Sequence, residues 1–245
     1  MTTVTTLSIE ELVSEDSPAA GALRRRGLDI GRSLCNTSDV DDAERRFLDN
    51  LQHWSSLGVG RSIAAERIGE AFQSKSEVLN LDDLRLTGLP DFLQELVSVK
   101  YLSVDGNRLK QLPTLPPNLL QLTAVTNILE SIPELPPKLE GLYLGNNKLT
   151  CLPSLPSALT VLSALNNDLV ELPALPRSIV SIHVHFNALS RLPALPEGLE
   201  HLFINNNRIS LLPALPTSLK KLAFDSNPLN VLPILPDLSK SARGT

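Results

Sequence analysis

The sequence predicts an α/β solenoid. A helical cap is followed by stacked turns, each giving one short strand to a parallel concave sheet and returning along an extended convex side. Three observations predict it. Asn recurs every 20 residues, at Asn107, Asn127, Asn147, Asn167, Asn187, Asn207 and Asn227. Pro recurs in step from Pro113 to Pro233, with a second Pro three residues later, from Pro116 to Pro236. Aliphatic residues keep the same register between them, so that seven consecutive copies follow one template. A fixed period of this length is the mark of a solenoid built from one supersecondary unit.

Residues 1 to about 38 read as an unfolded leader. Thr2, Thr3, Thr5, Thr6 and Ser8 crowd its start, and no aromatic precedes Phe47. A basic start with an apolar stretch is missing, so this is no ordinary secretory signal peptide. Glu10, Glu11, Glu15 and Asp16 argue against a mitochondrial presequence. Arg24, Arg25 and Arg26 read as a solvated run. The sequon Asn36-Thr37-Ser38 carries no weight without such an export signal.

Residues 39–75 read as a helical hairpin. Ser38 can cap the first helix, and Asp39, Asp41 and Asp42 suit the positive end of its dipole. Val40, Phe47, Leu51 and Trp54 then follow one face. Gly58 and Gly60 break the helix. A second runs from about Ser62 to Ser74, with Ile63, Ile68, Ala71 and Phe72 expected inward. The pair, with Trp54 at its centre, is the lid that the first strand of an open solenoid needs.

Residues 76–238 are the repeats, one degenerate and seven regular. The unit L-x-x-L-x-L-x-x-N-x-L-x-x-L-P-x-L-P-x-x is a leucine-rich repeat. Leu102 and Val104, or Leu142 and Leu144, lie two apart and face one way on a strand. The Asn follows where the chain turns in, and its amide can serve backbone groups of two repeats. The L-P-x-L-P stretch cannot be helical, because Pro lacks an N–H and restrains the residue before it. In the degenerate copy Leu79, Leu81, Leu86, Leu89 and Pro90 fit, Leu84 takes the Asn slot, and the step to the next copy is 23 residues.

Composition narrows the function. A net charge of −5 gives no drive toward nucleic acid or anionic membrane. No apolar run approaches the roughly 18 residues of a membrane span. No nucleophile elbow, P-loop, zinc-protease or C-x-x-C motif occurs, so no catalytic residue, metal or cofactor is assigned. Cys35 and Cys151 read as ordinary free thiols.

The concave strand positions are more informative, because the packing rule does not dictate them. Their central column reads Ser103, Thr123, Tyr143, Ser163, His183, Phe203 and Ala223. Three of the four histidines, His183, His185 and His201, fall on two adjacent strands, with Tyr143, Leu165, Phe186 and Phe203 near. Three readings stand: a protein-binding patch, which exposed aromatics with a polar rim fit best; a plain surface; and a histidine metal site, against which no carboxylate shares the column. The candidate partner-binding residues are Tyr143, His183, His185, His201 and Phe203.

A helix bearing Trp54, a second helix, Val78-Leu79-Asn80-Leu81 leading to Leu86-Thr87-Gly88-Leu89-Pro90, and double-proline repeats together resemble bacterial type III secreted effectors of the IpaH, SspH and YopM kind. The likeness spans about residues 39 to 238. It implies secretion through a Thr/Ser-rich leader, action in the host cytoplasm or nucleus, and a host protein held on the concave face. IpaH-like members carry a C-terminal E3 ubiquitin ligase domain with a catalytic Cys. Residues 239–245 then read as the start of a linker to such a domain, which can also be a partner of the repeats. YopM-like members are scaffolds without ligase activity, and that alternative stays open.

Overall fold

The computed structural model describes residues 42–58 and 60–231. The leader, Cys35, Ser38, Val40, Pro233, Pro236 and segment 239–245 lie outside the described residues. The chain divides into two compact units, residues 1–45 and 46–245. Of the first, only the opening turn of helix α1 is described.

Helix α1 (Asp42–Ser55) carries Asp42 and Glu44 in its first turn and His53 in its last, complementing the helix dipole. It buries Phe47, Leu48, Leu51 and Trp54. Helix α2 (Arg61–Ser74) buries Ala64, Ala65, Ile68 and Ala71. Ile63, expected inward, is 48% exposed. At about 100° per residue it falls off the buried stripe, and the two alanines take its place. Phe47 stacks on Phe72 at 3.9 Å and meets the edge of Phe92 at 5.2 Å. Phe92 belongs to a 3-10 helix (Asp91–Glu95) within the first repeat, so this aromatic trio ties α1, α2 and the array together. Gly60 enters α2 at φ 81, and a Cβ there would stand 2.1 Å from the Leu84 carbonyl oxygen. Only glycine fits that approach.

Eight parallel strands follow in sequence order: β1 (Val78–Asn80), β2 (Tyr101–Ser103), β3 (Gln121–Thr123), β4 (Gly141–Tyr143), β5 (Val161–Ser163), β6 (Ser181–His183), β7 (His201–Phe203) and β8 (Lys221–Ala223). The register aligns Leu79, Leu102, Leu122, Leu142, Leu162, Ile182, Leu202 and Leu222 in one inward row. From Leu79 to Leu202 these side chains are at most 2% exposed. Helix α2 packs on β1, and Arg67 Nη1 donates to the Asn80 carbonyl at 3.0 Å. Between strands the described chain is extended, with no helix on the convex side of the regular repeats among the described residues. The fold is the predicted one, a leucine-rich-repeat solenoid with a helical cap.

The asparagines act as inter-repeat staples. Asn167 Oδ1 accepts the Leu149 N–H at 3.0 Å, while its Nδ2 donates to the Leu144 carbonyl of the previous repeat at 2.9 Å and to Ala164 of its own at 3.2 Å. Asn107, Asn127, Asn147, Asn187, Asn207 and Asn227 repeat the pattern. Each amide satisfies backbone groups that the inward turn removes from water, which would otherwise cost about 1–3 kcal/mol apiece.

Candidate functional site: the concave face

The strand register fixes three concave rows. The central row runs Ser103, Thr123, Tyr143, Ser163, His183, Phe203 and Ala223. Its start differs from the expectation of a free surface. Ser103 and Thr123 are 2% and 6% exposed. The cause is a carboxylate ladder that runs between repeats. Asp82 Oδ1 accepts from Ser103 Oγ and, at 2.7 Å, from the Asp105 N–H. Asp105 Oδ1 accepts in the same way from Thr123 Oγ and, at 2.6 Å, from the Val125 N–H. Burial holds the Asp105 carboxyl above the usual Asp range, against the lowering effect of its two donors. In sequence, the only signal was an Asp followed by Ser or Thr in the next repeat.

The histidine cluster lies further along. His183 stacks on Phe203, with ring centroids 4.6 Å apart and 21° between planes. Its Nε2 lies 2.9 Å from Ser181 Oγ. His185 meets Phe186 edge-on at 5.6 Å, and its Nδ1 is buried without a hydrogen-bond partner. Burial pushes the His183 imidazole below its ordinary value, with help from His185 and His201, and burial lowers His185 as well. Both rings are therefore mainly neutral at pH 7, each with one donor and one acceptor nitrogen. His201 sits on β7, opposite Ser181. Tyr143 is two strands from His183, with Ser163 between. The structure thus brings His183, His185 and Phe203 together and sets Tyr143 at the margin. Among the described residues no group of three or more His, Cys, Asp or Glu is placed to hold a metal ion. Cys151 is an exposed free thiol.

Phe186 is a site residue for which the repeat template gives no reason. The residue before each Asn lies in the left-handed region, with φ between 52° and 63°. Its occupants are Gly106, Thr126, Asn146, Asn166, Asn206 and Ser226 in the other regular repeats. Here a Phe adopts φ 55 and leaves its ring 52% exposed. Left-handed backbone costs an ordinary residue about 1–2 kcal/mol, and the half-exposed ring returns only its edge contact with His185. Phe186→Asn is expected to raise stability by about 1 kcal/mol, or a Tm gain of about 2–4 °C. A thermal melt checks this, and a lower Tm would mean that the ring supports the turn.

A second concavity, on the flank of the first repeats, is lined by Lys75, Glu77, Lys100, Asn118 and Lys138. Lys100 pairs with Glu77 at 2.5 Å and Lys138 donates to Asn118 at 2.9 Å. Two of its three cations are thus engaged, and it offers less than the concave face.

No protein-family model matches the chain. Over 76 residues it is 38% identical to the E3 ubiquitin-protein ligase ipaH7.8 of Shigella flexneri, a match covering 31% of this chain and 13% of that protein. A solved Shigella effector LRR domain superposes with TM-score 0.69 and 33% identity, covering 76% of this chain and 86% of that one. YopM, a leucine-rich effector protein from Yersinia pestis, superposes with TM-score 0.54 and 31% identity over 80% of this chain and 69% of that one.

Proposed function

The chain belongs to the bacterial leucine-rich-repeat effector family, and from that premise we propose that it is a substrate-recognition domain that holds a host protein on its concave face. The observation that carries the surface is the gathering of His183, His201 and Phe203 on β6 and β7 with His185 just beyond β6, flanked by the strained, exposed Phe186. Aromatic groups with a polar rim are what anchors in protein interfaces look like. None of the five candidate residues, Tyr143, His183, His185, His201 and Phe203, is required by the repeat template.

The likeness to ipaH7.8 supports a parent protein that is an E3 ubiquitin ligase, delivered by a type III system and acting in the host cytoplasm or nucleus. Its catalytic Cys would belong to a separate C-terminal domain, which the repeats can also engage. Cys151 is an exposed free thiol within the repeats, and this reading assigns it no role. The likeness to YopM supports a second reading, a scaffold that binds host proteins without ligase chemistry. Neither reading gives this chain a cofactor, a nucleic-acid ligand or a membrane contact.

Replacing His183, His201 and Phe203 with Ala tests the surface. The triple variant is expected to keep the wild-type melt within a few degrees. It should lose recovery of host proteins from lysate, since truncated anchors can each remove about 2–4 kcal/mol of binding. Wild-type recovery should change as pH falls below about 6.5, because burial moves protonation of His183 and His185 to the acid side of the ordinary value. Equal recovery by a well-folded triple variant would place binding elsewhere, on the convex prolines or the Asn-side loops.

A further inference from the structure

The carboxylate ladder ends after two steps, and its donors reappear without an acceptor. In each step an Asp at the first residue after the inward strand pair receives two hydrogens from the next repeat. One comes from a hydroxyl on the strand, the other from the backbone N–H two residues later. The next repeats break the pattern in different ways. Beyond Val125 the strand offers Tyr143, whose hydroxyl stands at the end of a ring and not at Cβ. Beyond Leu165 it offers His183, already stacked on Phe203 and hydrogen-bonded to Ser181. Beyond His185 and Asn205 it offers Phe203 and Ala223, which have no hydroxyl.

One repeat keeps both donors. Ser163 stands in the row of Ser103 and Thr123, and Leu165 in the row of Asp105 and Val125. The residue that should carry the acceptor is Gly145. Neither Ser163 Oγ nor the Leu165 N–H has a partner among the described residues. Ser103 and Thr123 are buried beneath their aspartates, whereas Ser163 is only half-buried and its hydroxyl reaches solvent. The Leu165 isobutyl group rests on the bare glycine, its Cγ 3.2 Å from where a Cβ would lie. An incoming carboxylate requires that side chain to turn aside. A backbone N–H beside a hydroxyl, on a concave and partly desolvated surface, favours an ionised acceptor over a neutral one. The chain's own Asp82 and Asp105 show which acceptor this geometry takes.

We propose that Gly145, Ser163 and Leu165 form a carboxylate seat on the concave face, filled by an Asp or Glu side chain of the bound protein in the manner of Asp105 on Thr123 and Val125. This rests on the concave face being the partner surface, and it names the chemistry of one contact there. Tyr143 and His183 flank Ser163 on the adjacent strands, so the seat lies inside the candidate patch.

Two variants and a small probe test it. Titration of the full chain with acetate, followed by amide NMR, should move the Leu165 N–H downfield and saturate. The Val125 N–H, already occupied, should stay still. Acetamide should not reproduce the shift, and Ser163→Ala should reduce it. A Leu165 amide that ignores acetate, or moves equally with acetamide, overturns the seat. Gly145 does not have a positive φ, so Gly145→Asp can supply the missing acceptor from within. Gly145→Ala brings the same Cβ without the carboxylate and isolates any crowding of Leu165. Gly145→Asp should melt at least about 2–4 °C above Gly145→Ala, since it gains hydrogen bonds from both Ser163 and the Leu165 N–H, and a lower melt overturns the seat. Host-protein recovery then separates the two ideas. Loss with Gly145→Asp but not Gly145→Ala supports the seat. Recovery that survives Gly145→Asp but falls with the His183, His201 and Phe203 triple variant overturns the seat and leaves the concave reading standing. Recovery untouched by either overturns both.

Discussion

Leu142→Asp is expected to leave the protein insoluble or partly unfolded. Leu142 lies in the inward row of β4, fully buried between Leu122 and Leu162. An aspartate there would meet only the aliphatic inward row, because strand pairing and the asparagines already engage the backbone amides around it. An unpaired buried charge costs several kcal/mol. A solenoid is held by interfaces between neighbours, so the damage falls on both adjoining repeats. Soluble yield and a circular dichroism melt check the outcome. Leu142→Met, which keeps volume and polarity, should cost less than about 1.5 kcal/mol. A normal melt for the Asp variant would show that the side chain escapes to the surface and that the inward row is misassigned.

Trp54→Ala has the next largest expected effect, roughly 3–5 kcal/mol. The indole is 8% exposed, with the Arg61 guanidinium 5.0 Å from its ring centroid. Removing it opens a cavity in the helix pair and frees a cation that had lain against the ring. The cap should loosen before the repeats do, since α2 meets the array at β1. Limited proteolysis should therefore start within residues 46–75 and leave the chain beyond about residue 100 intact. Protease resistance equal to wild type would mean that the helices stay docked without Trp54, held by Phe47, Phe72 and Phe92 alone.

Much of this protein is legible in its sequence because the repeat is local and recurs. A 20-residue step fixes which residues face inward, since strand side chains alternate and parallel neighbours stack in register. The asparagine ladder follows as well, because an amide at a chain reversal has few other groups to satisfy. The proline pairs set the convex side by covalent geometry alone. The gathering of histidines and aromatics on β6 and β7 could likewise be read by counting along the rows.

Other features were decided only by the tertiary structure. Ser103 and Thr123 look like surface residues by alternation, yet they are buried, because carboxylates 21 and 18 residues earlier in the chain lie over them. Phe186 occupies a position where its identity fights the backbone, which shows only once φ is known. Ile63 has the hydropathy of a core residue, but it lies off the helix stripe that α2 buries, which runs through Ala64, Ala65, Ile68 and Ala71. Gly145 reads as a gap in sequence and as an unfilled acceptor position in space. The common reason is physical. Periodicity determines the direction of each side chain, whereas burial and hydrogen bonding depend on what the next repeat places beside it.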